Sequence, residues 1–235
     1  MSEIETKYEE LLSDQPSWIR HFCSVFLISV NQDQRWDFKS GFVESVKPGA
    51  DLNDVRVPLL LFMQRRNLAR VERLEFSTHR KGQVSDTIKG VIKLLESRAS
   101  MTDKAWDVLV DSAREAMQET AQVARVEGSI AAGVTNDGAK WAAAWAVNCA
   151  AWSAFLVADT SQFSVETITR IAAETARSAT WITTATIDTR ILEQFDVSRE
   201  AARGGLKSAV SSAEWAAIAA EFLRLAAELS AAEAA

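Results

Sequence analysis

Proline and glycine are scarce in this chain, 3 and 9 in 235 residues, against roughly 5% and 7% in ordinary globular sequences. Such breakers mark tight turns, so their scarcity argues against a many-stranded β fold and predicts long helices. Cysteine is nearly absent: Cys23 and Cys149 stand far apart, within apolar runs. That spacing predicts two free, buried thiols in a reducing compartment rather than a disulfide framework, and an apolar setting leaves a thiol unreactive. Histidine is as rare, with only His21 and His79. The paired Glu-x-x-His elements of di-metal bundles and the ligand sets of zinc sites are missing, so neither a metal nor another cofactor is expected. Phosphate-binding glycine loops and the Gly-x-Ser-x-Gly elbow are missing as well. No stretch reaches the roughly 18–20 apolar residues of a bilayer crossing. Met1–Leu12 is Glu-rich and has neither the basic start nor the apolar run of a signal peptide. The expectation is a soluble, cytoplasmic protein.

What the chain does contain is alanine, unevenly spread. Residues 1–98 hold two, Ala50 and Ala69, and residues 99–235 hold thirty-six. Bulky side chains keep helices at the wide end of the usual spacing, and small ones let them approach closely. The composition therefore predicts an all-α multi-helix bundle in two parts. Residues 1–98 form an N-terminal helical region and residues 99–235 an Ala/Trp-rich bundle, with the junction near Arg98–Thr102 and Thr102 as an N-cap; one continuous domain is the alternative. In the first part, Ser13-Asp14-Gln15-Pro16 reads as a helix start, followed by Ile19, Phe22, Cys23, Phe26, Leu27 and Val30 at helical spacing. Further helices are expected over about 36–46, 58–75 and 85–98.

In the second part, helices are expected over about 103–127 and 139–159, separated by a loop at 133–138. The second of these is apolar on nearly every side, which places it centrally. Its tryptophans Trp141, Trp145 and Trp152 share a face, read as filler between Ala-faced neighbours, and Asn148 reads as a buried amide that fixes register. A longer helix follows from Val165 to about Gln194, capped by Ser164, with Glu166, Arg170 and Glu174 as an outer ion-pair ladder. Arg203-Gly204-Gly205 reads as an interruption before the last helix. There Trp215, Ile218, Phe222, Leu225 and Leu229 repeat at heptad spacing, a stripe to be buried in the bundle or against a second copy in a homo-oligomer.

Charge is the other asymmetry. The net charge is -6, yet residues 64–104 hold ten Lys/Arg against five Asp/Glu. Arg66, Arg70 and Arg73 fall in a narrow arc of one helix, and Arg80, Lys81, Lys89 and Lys93 extend the patch. Arginine forks suit carboxylates and phosphates. The patch therefore fits an acidic protein partner, nucleic acid, or acidic residues of the second region. The acidic row Asp103, Asp107, Asp111, Glu115 and Glu119 winds around its helix, because each step of four overshoots a turn by about 40°, and so cannot converge on one ion. Glu72 and Glu75 have the spacing of Mg²⁺-binding helices but no second acidic pair.

With Trp145 and Trp152 set among alanines, the second part resembles Ala-rich helical proteins of bacterial and phage accessory genomes, some of which are small immunity or inhibitor proteins. No motif aligns residue by residue, so no site is carried over. The missing catalytic sets, together with the Arg66/Arg70/Arg73 patch and the terminal heptad stripe, point instead to a non-catalytic interaction protein of inhibitor, immunity or adaptor type, whose acidic macromolecular partner docks on the basic helix. A Mg²⁺-dependent all-α enzyme using helix carboxylates and a nucleic-acid-associated protein are the alternatives.

Overall fold

The computed structural model describes residues 2–74, 81–97, 103–131, 138–158, 164–186 and 199–232, with side chains absent from this description at 103–106, 126–131, 138–141, 185–186 and 199–206. Among these residues the structure is an all-α multi-helix bundle. Its helices are α1 (Glu3–Ser13), α2 (Ser17–Ser29), α3 (Gln32–Ser45), α4 (Arg56–Arg73) and α5 (Lys81–Glu96). They continue with α6 (Asp103–Ala131), α7 (Gly138–Ala158), α8 (Thr167–Thr186) and α9 (Arg199–Ala232), and a 3-10 turn at Leu52–Val55 leads into α4.

Local chemistry sets the starts and stops. Ser2 and Asn31 form capping boxes with Glu5 and Gln34, each exchanging side-chain and backbone hydrogen bonds that satisfy otherwise orphaned N–H groups. Pro16 precedes α2 with a φ of -52°. The chain reverses after α3 at Lys47-Pro48-Gly49, where Gly49 takes a φ of +82° that glycine adopts without steric cost. Helix α1 was not anticipated, because charge dominates its composition and only Tyr8 and Leu11 are buried.

Two sequence-based boundaries are corrected. Gly204-Gly205 does not interrupt the last helix, and α9 runs unbroken through it for 34 residues. Glycine costs only about 1 kcal/mol relative to alanine inside a helix, which long helical flanks absorb. Helix α8 begins at Thr167 rather than Val165: the Ser164 N–H donates to Thr167 Oγ1 at 2.9 Å, and Val165 and Glu166 lie in the preceding turn. The expected N-cap Thr102, the loop at 133–137 and the expected extension of α8 to Gln194 lie outside the described residues.

Helix α7 occupies the centre, in contact with α4, α5, α6 and α8. Its buried surface is mostly alanine, with Ala142, Ala143, Ala146, Ala150, Ala151 and Ala154 fully buried alongside Val147, Asn148, Cys149, Ser153 and Val157. Asn148 holds α7 in register with α6 by donating to the Met117 carbonyl at 3.3 Å and to Thr120 Oγ1 at 3.1 Å. Gly90 of α5 serves the close approach of α5 to α6, since a Cβ there would lie 2.8 Å from Leu109 Cδ1.

Packing does not respect the change in composition at residue 98. Helix α9 lies against α8 on one side and against α2, α3, α4 and the 3-10 turn on the other. Its Phe222 completes an aromatic cluster of the N-terminal region, 5.3 Å from the Phe22 ring and 6.2 Å from Phe42, with Phe26 packed beyond against Phe38 at 4.5 Å, the two rings tilted by 46°. A single hydrophobic cluster therefore runs from Tyr8 to Ala226. The heptad stripe is consumed by this contact. Trp215, Ile218, Phe222 and Leu225 are buried and Leu229 packs against the same core, so the stripe offers no open face to a second copy. That corrects its assignment as an oligomerisation surface: the bulky N-terminal helices supply the apolar partner that the stripe requires.

Candidate functional site

The basic patch divides into an inner and an outer part. On α4 the residues Leu60, Met63, Gln64, Asn67 and Val71 face the interior, which turns Arg66 and Arg70 toward α9. Both guanidiniums reach Glu214, whose side chain is only 4% exposed. Arg66 donates from Nε and Nη2 to the two carboxylate oxygens at 2.8 and 2.6 Å, a bidentate fork, and Arg70 donates to Oε2. Arg70 also donates to the Thr175 carbonyl of α8 at 3.4 Å. Burial works to raise the Glu214 pKa, but the hydrogen bonds from Arg66 and the attraction of Arg70 outweigh it and hold the carboxyl below its ordinary value.

This ion cluster extends into a buried polar seam. Gln64 Nε2 donates to Ser153 Oγ of α7 at 2.8 Å, and Asn67 Nδ2 donates to Thr175 Oγ1 of α8 at 3.1 Å. Arg66 and Arg70 are thus intramolecular fasteners between the two regions, the pairing with second-region acids that the sequence left open, and not an open contact surface. Sequence reasoning missed Glu214, Gln64 and Asn67. A signal was present: Glu214 stands one helical turn before Ile218 and two before Phe222, on the apolar stripe itself, where a charge requires a buried partner.

The outer part remains at the surface. Arg73 and Lys93 are exposed and pair with no carboxylate among the described residues. Lys89 bonds Glu72 at 2.9 Å and Arg65 bonds Glu96 at 2.7 Å, both pairs about half exposed. Lys81 donates to the carbonyls of Glu72 and Leu74, satisfying the open end of α4. Arg80, His79 and Glu75 lie outside the described residues.

Candidate chemistry elsewhere is sparse. Among the described residues no group of three or more His, Cys, Asp and Glu side chains is placed to hold a metal. Asp107, Asp111 and Glu115 are exposed on α6, and Asp111 pairs with Arg114 at 2.7 Å. Both cysteines are free and buried; burial pushes the Cys23 thiol up to about 12 and raises that of Cys149. No helix of the described residues is long and apolar enough to cross a membrane.

The outer side of α7 and α8 differs from expectation. Trp145 and Trp152 do not fill space between alanine faces; with Leu156 they line one wall of an open groove of about 410 Å³. The Trp141 side chain lies outside the described residues. The facing wall, from α8, carries Arg170, Glu174, Arg177 and Trp181. The anticipated Glu166–Arg170–Glu174 ladder is absent, because Glu174 turns to Arg177 at 2.6 Å. Burial raises the Glu174 pKa against the opposing pull of Arg177. Another groove, between α1 and the α2–α3 corner, exposes Ile28 and Trp36.

Compared with protein-family models, with curated proteins and with solved structures, the chain matches none.

Proposed function

We propose that this is a non-catalytic interaction protein, of inhibitor, immunity or adaptor type, that docks an acidic macromolecular partner on the outer ridge of α4 and α5. The supporting observation is the cation surplus there. Arg73 and Lys93 are exposed without a carboxylate among the described residues, and Arg66 and Arg70 share one carboxylate between two guanidiniums. The Lys89–Glu72 and Arg65–Glu96 pairs are exposed, and exposed pairs are worth about 0–1 kcal/mol, so a partner's carboxylates exchange into them at little cost. Long-range attraction of such a ridge speeds encounter with an acidic surface.

The test is capture of binding partners by the wild-type protein and by an Arg73→Glu/Lys93→Glu double variant, with folding checked by circular dichroism. Neither side chain anchors the fold, so the double variant is expected to fold normally and to lose its acidic partner. Capture unchanged by the double variant removes the proposal. An affinity that falls linearly with the logarithm of salt, for duplex or single-stranded nucleic acid, replaces the protein partner by a polyanion.

A further inference from the structure

We infer that the groove between α7 and α8 is a binding site for a small, flat aromatic molecule bearing one anionic group. Two helical stripes build it. Trp145, Trp152 and Leu156 stand one to two turns apart on α7, so the apolar wall runs about 16 Å along the helix. Arg170, Arg177 and Trp181 line α8 opposite, around Glu174. The volume of about 410 Å³ lies in the range of small-ligand sites, roughly 300–1,000 Å³.

The occupant follows from what these walls leave unsatisfied. Indole rings offer large apolar faces and favour a flat aromatic body. Trp145 and Trp181 are already stacked, with centroids 6.3 Å apart and planes 25° from parallel, which stiffens that end of the groove. Charge decides the sign. Glu174 is ion-paired with Arg177, whereas Arg170 is exposed at the groove and forms no ion pair among the described residues, acting on Glu174 only through space. Two guanidiniums against one carboxylate leave a single positive charge, and a guanidinium fork suits a carboxylate or sulfonate. A cationic ligand would have to compete with both arginines for Glu174.

Titration calorimetry with indole-3-carboxylate, indole and tryptamine compares an anion, a neutral molecule and a cation on one ring system. The expected order is anion, neutral, cation, with at least a tenfold gap between the first and the last. Trp152→Ala is expected to weaken all three at least tenfold. Arg170→Ala removes an exposed, unpaired side chain and is expected to reduce the anion's affinity to that of indole, leaving indole unchanged. Should Trp152→Ala fail to fold, Arg170→Ala carries the test alone. No binding of indole-3-carboxylate at millimolar concentration overturns the inference. So does equal or reversed binding of tryptamine, or anion binding insensitive to Arg170→Ala. Self-association in light scattering that Trp152→Glu dissolves would assign the groove to a second copy of the chain and overturn it too.

Discussion

Around Phe42 the interior is filled by rings: Tyr8, Phe38 and Phe222 lie within 5.3–6.2 Å of it, centroid to centroid. Around Ala150 it is filled by helix backbones brought close, with Ala146, Ala151 and Ala154 fully buried beside it on α7. One region excludes water with side-chain volume, the other by proximity. Close helices leave little space for side chains between them, so Trp145 and Trp152 of α7 stand at its outer side, where they line a groove. The aromatic region, by contrast, turns its rings inward and leaves charge on the surface. The same residue type thus serves as core at Trp215 and as wall of an open groove at Trp152.

The contrast has consequences for substitution. The largest is expected for Phe222→Ala, which removes a ring that its three aromatic neighbours, Phe22, Phe38 and Phe42, cannot replace. A loss of about 3–5 kcal/mol in chemical denaturation is expected, as for buried phenylalanine generally. Next is Glu214→Ala, which leaves two guanidiniums without their shared carboxylate. About 3 kcal/mol is expected, the low end for a broken buried pair, because Arg66 is partly in water.

The pH dependence separates buried Glu214 from half-buried Glu174. Glu214 has a depressed pKa in the fold, so its stabilisation is present above the unfolded value of about 4.3 and is lost as pH falls through the folded one. Glu174 has a raised pKa, so its contribution is most favourable below the unfolded value and is lost as pH rises through the folded one. Melting temperatures of Glu214→Gln and Glu174→Gln across pH 4–7 are expected to differ from wild type with opposite slopes. Parallel slopes would mean that the two carboxylates share one environment.

Overfilling tests the alanine region. Ala150→Leu inserts a branched side chain where helices are close, and about 1–3 kcal/mol of destabilisation is expected. A neutral result would show that α7 has room, and the distinction between the two packing styles would fail. The smallest effect is expected for Asn148→Ala, about 1 kcal/mol, because Thr120 keeps its bond to the Ala116 carbonyl at 2.7 Å when the amide is gone.

Much of this structure was legible in the residues. Helix periodicity located the α2 core of Ile19, Phe22, Cys23 and Phe26, and the apolar wrap of α7 located the centre of the bundle. Spacing on one helix is a local property, and these features depend on nothing else. The basic arc was legible in the same way, but its destination was not. Whether Arg66 meets a partner or Glu214, 148 residues later, depends on how α9 lies across α4. The stripe of α9 likewise shows that an apolar face needs covering without saying which surface covers it.

What the sequence determined alone is the all-α class, the two side-chain vocabularies and the apolar or charged face of each helix, since those follow from composition and a 3.6-residue period. The tertiary structure decided the pairing of faces: α9 completing the aromatic core, Glu214 capturing Arg66 and Arg70, and two tryptophans left on a groove beside an unpaired Arg170. Such pairings join residues far apart in the chain and are selected by the fit of whole helices, so no local pattern encodes them.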